Sequence, residues 1–415
     1  MKMFKKIWLV AALVMAFATT AWADSAYTVV NSSYNVGKVG TITSSGTVNS
    51  TALASPGTLT GAPAVHWFSD ASGNSRVLVF KYLYPTDPSP SVVIYNPATT
   101  PWTQVATADW TGITNLYGIA TSGSYLYAID YDNAKIVKVN MTNNAYSLAA
   151  TYTYPGTTGY EKHGMAIAAV GSYVYGLFME ADNPNATNPT YLASKVVKLN
   201  KDTLASVSTA QVGKNAFALK YYNNNLYVPC IGGKQQNGSY NSGQSQLNVV
   251  NLANMTVTTP FTAGTAIPYD FRDITLSSTG NAYILVGKYN TDWTMNWRVY
   301  NTTATNIASG NIGAIKESNT STAGYFWALH YENAADRLWF AKGNQVDLRV
   351  GSTYVAVKLN MYGSSILGSS AYPNVNSLTI LGQSGYTLQG YQDATLSAAQ
   401  SAGTAAAKKV QDTTK

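Results

Sequence analysis

At 415 residues, the chain is long enough for one large repeat domain or for two to three ordinary domains. Its hydrophobic content of 46% excludes a wholly disordered protein, and its charged fraction of 11% is well below the globular average. Three lysines near the N-terminus contribute to the formal net charge of +7, and no Lys/Arg-rich run follows, so nucleic-acid binding is not expected. The abundance of Tyr, Thr, Asn, Ser and Gly predicts an all-β fold with short strands and many turns.

The first residues have the organisation of a secretory signal peptide. Three lysines precede an uncharged apolar stretch, and the small residues Ala21 and Ala23 mark a cleavage site. The sequence therefore predicts a signal peptide at 1–23 and a mature chain that begins near Asp24 and is exported to the periplasm or to the cell exterior and surface. A membrane anchor is the alternative, but the apolar stretch is short for a span, and no later segment is long enough, so no membrane span is expected.

A pattern of roughly fifty residues recurs along the rest of the chain. Each copy contains a short strand with small residues, an apolar strand with an aromatic residue, and a strand that often ends in asparagine. The clearest copy lies at 117–120, 125–127 and 135–140, and in another copy the first strand is expected at 215–218. Equivalent positions are His66, Ala120, Ala166, Ala218, Ile274 and Ala328. A four-stranded propeller blade needs this length, whereas a sandwich or barrel does not explain the period, so we predict a β-propeller.

The two ends of the chain indicate the number of blades. After the last complete copy, a first strand is expected at 377–381 and a second at 386–388. Residues 27–31 and 39–43 match a third and a fourth strand. We therefore predict seven blades, the last one closed by strands from both termini, with six blades as the alternative. The propeller domain then spans 24–391, and a flexible or weakly helical tail follows at 392–415.

Small residues in the first strand of each copy allow neighbouring sheets to approach near the axis. Gly164 and Ala166 are one such pair, and Arg272 interrupts the pattern in a later copy. The aromatic residues of the second strands are expected to pack farther out, namely Tyr127, Tyr175, Tyr227, Tyr283 and Trp339. The single cysteine, Cys230, cannot form an internal disulfide and is expected to be buried and inert on a strand.

These repeats resemble the secreted bacterial β-propellers with degenerate blades, the YncE-like and lactonase-like group. The resemblance covers most of the chain after the signal peptide and concerns architecture. The sequence contains no Trp-Asp, kelch or Asp-box signature, and no catalytic motif of that group is present to be transferred. The resemblance therefore implies a propeller fold and no particular activity.

Two sets of loops are expected to surround one end of the channel, namely the loops before the first strands and the loops between second and third strands. We call this end the channel-mouth face and expect the functional site there. The weak catalytic candidates are Glu161, His163 and Asp273. The candidate ligand-binding residues are Lys162, Lys214, Asn215, Asp270, Arg272, Trp293, Tyr325 and Trp327. Mixed charges beside aromatic side chains suit a small-ligand site. The alternative interpretation is that these charged side chains pair with one another and bind no ligand. Arg272 is expected to lower the pKa of Asp270 and of Asp273.

No metal site and no cofactor is expected. The histidines His66, His163 and His330 lack metal-binding spacing. Residues 130–133 have the acidic spacing of a weak calcium loop but lack its full ligand set, so a tight turn is expected. The sequence contains neither a nucleophile elbow nor a phosphate-binding loop.

Three functions fit these observations. The first is a binding protein that recognises a glycan, peptide or protein partner on the channel-mouth face. The second is a structural component of the cell surface, for which the low charge and the Tyr/Asn/Thr-rich composition are suitable. The third is a hydrolase or lyase that uses Glu161, His163 and the cluster of Asp270, Arg272 and Asp273. The aromatic and amide-rich loops favour binding over the other two functions.

Overall fold

The computed structural model describes residues 25–31, 37–43, 54–57, 64–81, 91–99, 101–182, 190–233, 235–236, 239–240, 244–289, 295–322, 326–332, 337–342, 345–350, 355–360, 374–380 and 387–389. The signal peptide predicted at 1–23 and the tail predicted at 392–415 lie outside these residues. No helix within the described ranges is long and apolar enough to cross a membrane.

The first half of the chain forms three four-stranded antiparallel sheets after three N-terminal strands. The N-terminal strands are β1 (Ser25–Asn31), β2 (Gly37–Thr43) and β3 (Ala54–Gly57). The first sheet contains β4 (Ala64–Ser69), β5 (Ser75–Phe80), β6 (Val92–Asn96) and β7 (Thr103–Ala108). The second contains β8 (Leu116–Ser122), β9 (Tyr125–Asp130), β10 (Lys135–Asn140) and β11 (Ser147–Thr153), with a 3-10 turn at Thr142–Asn144. The third contains β12 (Glu161–Val170), β13 (Tyr173–Ala181), β14 (Ala193–Asn200) and β15 (Ser206–Lys214).

Three further four-stranded sheets follow. The fourth contains β16 (Lys220–Tyr222), β17 (Asn225–Cys230), β20 (Gln246–Asn251) and β21 (Val257–Thr262), and the short strands β18 (Gln235–Gln236) and β19 (Ser239–Tyr240) form a hairpin between β17 and β20. The fifth contains β22 (Asp270–Leu276), β23 (Asn281–Tyr289), β24 (Met295–Thr303) and β25 (Ala314–Thr322), with the helix α1 (Ala304–Ala308) between the last two. The sixth contains β26 (Phe326–Glu332), β27 (Arg337–Lys342), β28 (Gln345–Val350) and β29 (Val355–Asn360).

The apolar core lies between neighbouring sheets. Leu78 of β5 and Leu126 of β9 belong to one buried cluster, and Ile129 of β9 and Phe178 of β13 belong to another. Second strands are therefore covered on both faces and read as continuous apolar runs, whereas the outer strand β11 is largely exposed. Of the aromatic residues predicted to pack here, Tyr127, Tyr175 and Tyr227 are buried. Cys230 is also fully buried on its strand, as predicted, and burial raises the pKa of its thiol.

The sheets are arranged in a ring, with their first strands innermost. The first strands β4 and β8, β8 and β12, and β22 and β26 are in contact. Gly164 of β12 shows how close they come, because a Cβ at this position would lie 2.5 Å from the carbonyl oxygen of Asp130 in the second sheet. The chain is thus an all-β propeller whose small residues let adjacent sheets converge.

Serine hydroxyls connect successive sheets in a way that the sequence did not reveal. The Oγ of Ser91, Ser194 and Ser245, each at the start of a third strand, accepts a hydrogen bond from a backbone N–H before or at the first strand of the following sheet. The donors are Trp110 (3.1 Å), Ala216 (3.0 Å) and Phe271 (2.8 Å), respectively. Each bond satisfies a buried donor where two sheets meet.

Strands from both termini share one sheet, as predicted. β1 pairs with β30 (Asn374–Ile380), which in turn pairs with β31 (Thr387–Gln389), so the order is β3-β2-β1-β30-β31. The predicted order was wrong in one respect, because β1 adjoins the first C-terminal strand and not the second. β30 offers seven residues for pairing and β31 only three. This terminal sheet contacts β4 of the first sheet and β26 of the sixth. The number of blades stays a prediction.

The first strand of the fourth sheet begins later than predicted. Residues 215–218 form only an isolated bridge between Ala216 and Cys230, and β16 begins at Lys220. Asn215 has a left-handed backbone conformation with φ of 51°. This conformation cannot continue a strand, which explains the displacement.

Candidate functional site

The channel-mouth face is defined by the register of first and second strands. Glu161 pairs with Ala181, Asp270 pairs with Gly287, and Leu116 pairs with Asp130. The start of each first strand therefore lies beside the end of the second strand, as predicted for this face. Two of the predicted ligand-binding residues, Trp293 and Tyr325, lie outside the described residues.

A β-bulge recurs in the first strands at this face. In four sheets the pairing with the second strand shifts by one residue near the mouth. In each bulge one residue of the first strand has no partner in the second strand, and these residues are Tyr117, Met165, Arg272 and Trp327. Bulges are common beside functional sites because they redirect side chains and end regular pairing. The irregularity that the sequence showed at Arg272 is thus one case of a repeated structural feature.

Three rings are stacked at the mouth between the second and third sheets, here called the aromatic column. The centroid of Tyr131 lies 4.6 Å from that of Tyr117 and 4.2 Å from that of His163, with interplanar angles of 28° and 21°. The His163 Nε2 atom lies 3.9 Å from Oε2 of Glu161. The Glu161 side chain is 51% exposed and that of His163 is 10% exposed. The column therefore carries an accessible carboxylate at one end.

Two charged residues beside the column stabilise the loop that precedes β12. The Nζ atom of Lys162 donates a hydrogen bond to the Pro155 carbonyl oxygen. The carboxylate of Glu180, in the strand paired with Lys162, accepts hydrogen bonds from the Tyr154 hydroxyl and from the Thr157 backbone N–H. These bonds hold the loop that leads into β12, so the Lys162 ammonium group is engaged by this loop.

Asp273 connects two sheets. Its Oδ1 accepts a 2.8 Å hydrogen bond from the Ile274 backbone N–H, and its Oδ2 accepts one of 2.8 Å from the Leu329 backbone N–H. Burial raises the pKa of Asp273, and Lys220 opposes this effect. The expected lowering of this pKa by Arg272 was wrong, because loss of hydration is the largest influence on the buried carboxyl.

Asp270 and Arg272 form a buried pair. The Arg272 Nη2 atom lies 4.0 Å from Oδ2 of Asp270, and its Nε donates a 3.1 Å hydrogen bond to the Gly287 carbonyl oxygen. Neither carboxylate oxygen of Asp270 has a hydrogen-bond partner among the described residues. Burial raises the pKa of Asp270 to about 7, against the lowering effect of Arg272 and Lys288. The predicted lowering by Arg272 is therefore present but is outweighed by desolvation.

Lys214 and Asn215 lie at the mouth end of the third and fourth sheets. Lys214 is half-buried at the end of β15, and its carbonyl oxygen accepts a hydrogen bond from the Gly232 N–H. Asn215 is fully buried, and its amide has no hydrogen-bond partner within the described part of the chain. Its backbone carbonyl accepts a bond from the Ile231 N–H. The bend at Asn215 thus directs the chain from one sheet to the next.

Residues 130–133 form the tight turn predicted in preference to a calcium loop. Asp130 accepts hydrogen bonds from the backbone N–H groups of Thr114 and Asn115 and from Asn133. Asp132 accepts hydrogen bonds from the side chains of Thr114 and Asn115. Among the described residues, no group of three or more acidic, histidine or cysteine side chains is arranged to hold a metal ion.

An open groove of about 960 Å³ lies between the fourth and fifth sheets, at the hairpin ends opposite to the channel mouth. We call it the hairpin groove. The turns between β16 and β17 and between β22 and β23 line it, together with the segments around α1 and β21. The sequence does not indicate this groove, because its turn, strand and helix residues are distributed over five separate segments. Their shared location becomes evident only from the packing of the two sheets.

Comparisons with known proteins bear on the fold alone. No protein-family model matches the chain, and no curated protein sequence matches it. The structure is similar to that of a Bacteroides fragilis protein named as a candidate 6-phosphogluconolactonase, with 12% identity, a TM-score of 0.52 and coverage of 83% of this chain and 96% of that one. It is also similar to a Desulfotomaculum acetoxidans protein of unknown function, with 10% identity, a TM-score of 0.50 and coverage of 89% and 100%.

These similarities define the class of protein. The topology and the solved structures agree on an all-β propeller. At such low identity no site residue can be transferred. The resemblance to the YncE-like and lactonase-like group in particular stays a prediction.

Proposed function

We propose that the chain is an exported binding protein whose channel-mouth face recognises a basic segment of a peptide or protein partner. The observation that carries this proposal is the aromatic column of Tyr117, Tyr131 and His163 with the exposed carboxylate of Glu161 beside it. Tyr131 and His163 are buried in the column, and the half-buried ring of Tyr117 offers rigid contact area at a low entropic cost. A lysine or arginine of the partner would pair with Glu161 and lie against the aromatic column.

The state of the other charged groups supports binding over catalysis. Both oxygens of Asp273 accept backbone hydrogen bonds, and Lys162 donates to a loop carbonyl. These groups stabilise the fold and are not arranged around a reacting atom. Glu161 and His163, 3.9 Å apart, are the pair that a hydrolase or lyase would use. A hydrolase or lyase is the second candidate function for that reason.

The outer edges of the sheets do not favour the structural alternative. In five of the six four-stranded sheets, the pairing of the third and fourth strands contains a register shift. Such bulges twist an edge away from regular pairing and oppose edge-to-edge assembly. The sixth sheet, with β28 and β29, lacks the shift. Among these six sheets, only the sixth therefore has the regular outer pairing that edge-to-edge assembly would favour.

The test is selection of peptides from a random twelve-residue library against the full chain, followed by calorimetric measurement of affinity. Basic peptides are expected to be enriched. Glu161→Gln and Tyr117→Ala are expected to weaken their binding about tenfold, which corresponds to about 1.4 kcal/mol. The matched control is Asp202→Asn, which removes the same charge at an exposed turn on the opposite face.

Failure to enrich any peptide, or affinities that both mouth variants leave unchanged, would contradict the proposal. Turnover of a selected peptide that is lost in Glu161→Gln and in His163→Asn would instead support the hydrolase alternative.

A further inference from the structure

We propose that the hairpin groove is a second binding site, independent of the channel mouth, and that it takes a neutral oligosaccharide. The groove is defined by one face of the fourth sheet and by the turns and helix of the fifth. Its volume of about 960 Å³ is within the range of small-molecule sites in proteins.

The floor of the groove is apolar and aromatic. Tyr222 pairs with Asn225, and Val249 pairs with Tyr227, so these four side chains lie on the same face of the fourth sheet. Tyr227 is buried and Tyr222 is half-buried, and Ile307 of α1 closes the floor from the fifth sheet. The accessible ring of Tyr222 suits the C–H face of a sugar ring, because a tyrosine ring is flat and apolar with a polar edge, and the buried Tyr227 supports the floor beneath.

The rim of the groove is polar and uncharged. Asn223, Asn225 and Asn251 contribute amides, and Thr258 and Thr305 contribute hydroxyl groups. The Asn225 Nδ2 also donates to the Asn223 carbonyl oxygen and the Asn251 Oδ1 accepts from the Ala253 N–H, so the Oδ1 of Asn225 and the Nδ2 of Asn251 are the atoms of these two amides that face a ligand's hydroxyl groups. Amide and hydroxyl groups both donate and accept hydrogen bonds. This is the combination that the hydroxyl groups of a sugar require.

The lining excludes other ligand classes. It contains no Asp, Glu, Lys, Arg or His. An ionic ligand would lose hydration at the groove without a compensating charge, which disfavours phosphates and nucleic acids. Pro260 of β21 has no backbone N–H, so this edge of the groove cannot support a regular added strand of a peptide.

The position of Tyr222 is fixed by its neighbour in the fifth sheet. A Cβ at Gly280 would lie 2.6 Å from the Tyr222 hydroxyl oxygen, so the ring packs directly over this glycine. Gly280 also has a φ of 86°, which suits glycine. On the other side, the Thr303 hydroxyl caps α1 by accepting a 3.1 Å hydrogen bond from the Asn306 N–H. Both walls are therefore held in place before a ligand binds, which reduces the entropic cost of binding.

The experiment is calorimetric titration of the full chain with a panel of neutral trisaccharides, namely cellotriose, chitotriose, maltotriose and mannotriose. We expect at least one to bind. Tyr222→Ala removes the aromatic floor, and Thr305→Arg places a long charged side chain in the groove from an exposed position. Each is expected to weaken binding at least tenfold. The matched control is Tyr221→Ala, since Tyr221 is the adjacent residue in β16 and lies on the opposite face of the sheet.

The outcomes separate this site from the channel mouth. Glu161→Gln is expected to leave saccharide affinity unchanged, and Thr305→Arg is expected to leave peptide affinity unchanged. The absence of binding by the whole panel would overturn the proposal. So would an affinity that Tyr222→Ala and Thr305→Arg leave intact, or the finding that the groove variants abolish peptide binding instead.

Discussion

The carboxylate of Asp273 accepts a 2.8 Å hydrogen bond from the backbone N–H of Leu329, so a side chain of the fifth sheet binds the first strand of the sixth. A second N–H, that of Ile274, occupies the other oxygen. A residue that the sequence indicated as a catalytic candidate thus holds two neighbouring sheets together. The two hydrogen bonds offset the loss of hydration of the buried carboxyl group.

Replacement of Asp273 by alanine is expected to destabilise the protein. It would leave the Leu329 N–H buried without its partner, at a cost of about 2–3 kcal/mol in the free energy of unfolding. Urea unfolding followed by circular dichroism measures this change. Asp109→Ala is the control, because Asp109 is exposed. Equal stabilities of the two variants would show that the bond between the sheets has no energetic role.

The close approach of the second and third sheets can be tested at Gly164. A Cβ there would lie 2.5 Å from the Asp130 carbonyl oxygen, which is backbone and cannot move aside easily. Gly164→Ala is therefore expected to lower the free energy of unfolding by about 1–3 kcal/mol. The control is Gly264→Ala, where nothing lies within 4 Å of the added Cβ. A Gly164→Ala protein as stable as this control would contradict the proposed convergence of the sheets.

The buried carboxyl group of Asp270 predicts a dependence of stability on pH. Burial raises the pKa of Asp270 from its ordinary value of 3.8 to about 7. Between these two pH values the folded protein keeps the carboxyl proton, whereas the unfolded chain has released it. The contribution of Asp270 to stability is therefore full at low pH and decreases as the pH rises from about 4 to 7.

Asp270→Asn should remove that dependence, since the amide does not ionise. The variant is expected to gain stability relative to the original protein between pH 4.5 and 8, on the order of a few kcal/mol. Urea unfolding at several pH values measures the difference between the two proteins. A difference that is constant over this range would refute the raised pKa.

The fold was largely predictable from the sequence because its signals are local and repeated. The recurrence of strands around Ala120 and Ala166, and the aromatic second strands, follow directly from the packing of one sheet against the next. The order of strands in the terminal sheet was not predictable, because it depends on which of the two C-terminal strands, β30 or β31, pairs with the distant β1.

The site was less predictable, for two physical reasons. Bulges such as the one at Arg272 depend on the pairing of two strands and leave no regular mark in one of them. Whether a charged side chain is free or occupied depends on backbone groups that are distant in the chain, as with Asp273 and Leu329. The hairpin groove likewise depends on how two sheets face each other, and residues such as Asn225 and Thr258 are individually unremarkable turn and strand residues.

The pairing of the chain ends is the most direct test of a closed ring of sheets. In β1 and β30, Tyr27 pairs with Thr379 and Thr28 pairs with Leu378. Cysteines introduced at either pair should form an intramolecular disulfide under mild oxidation, detected by mass spectrometry of the monomer, whereas the combination of positions 28 and 388 should not. The native Cys230 is buried and should not interfere. A closed ring predicts a cross-linked monomer for at least one of the two pairs. An open arrangement predicts no cross-link within the monomer, and that result would contradict the account.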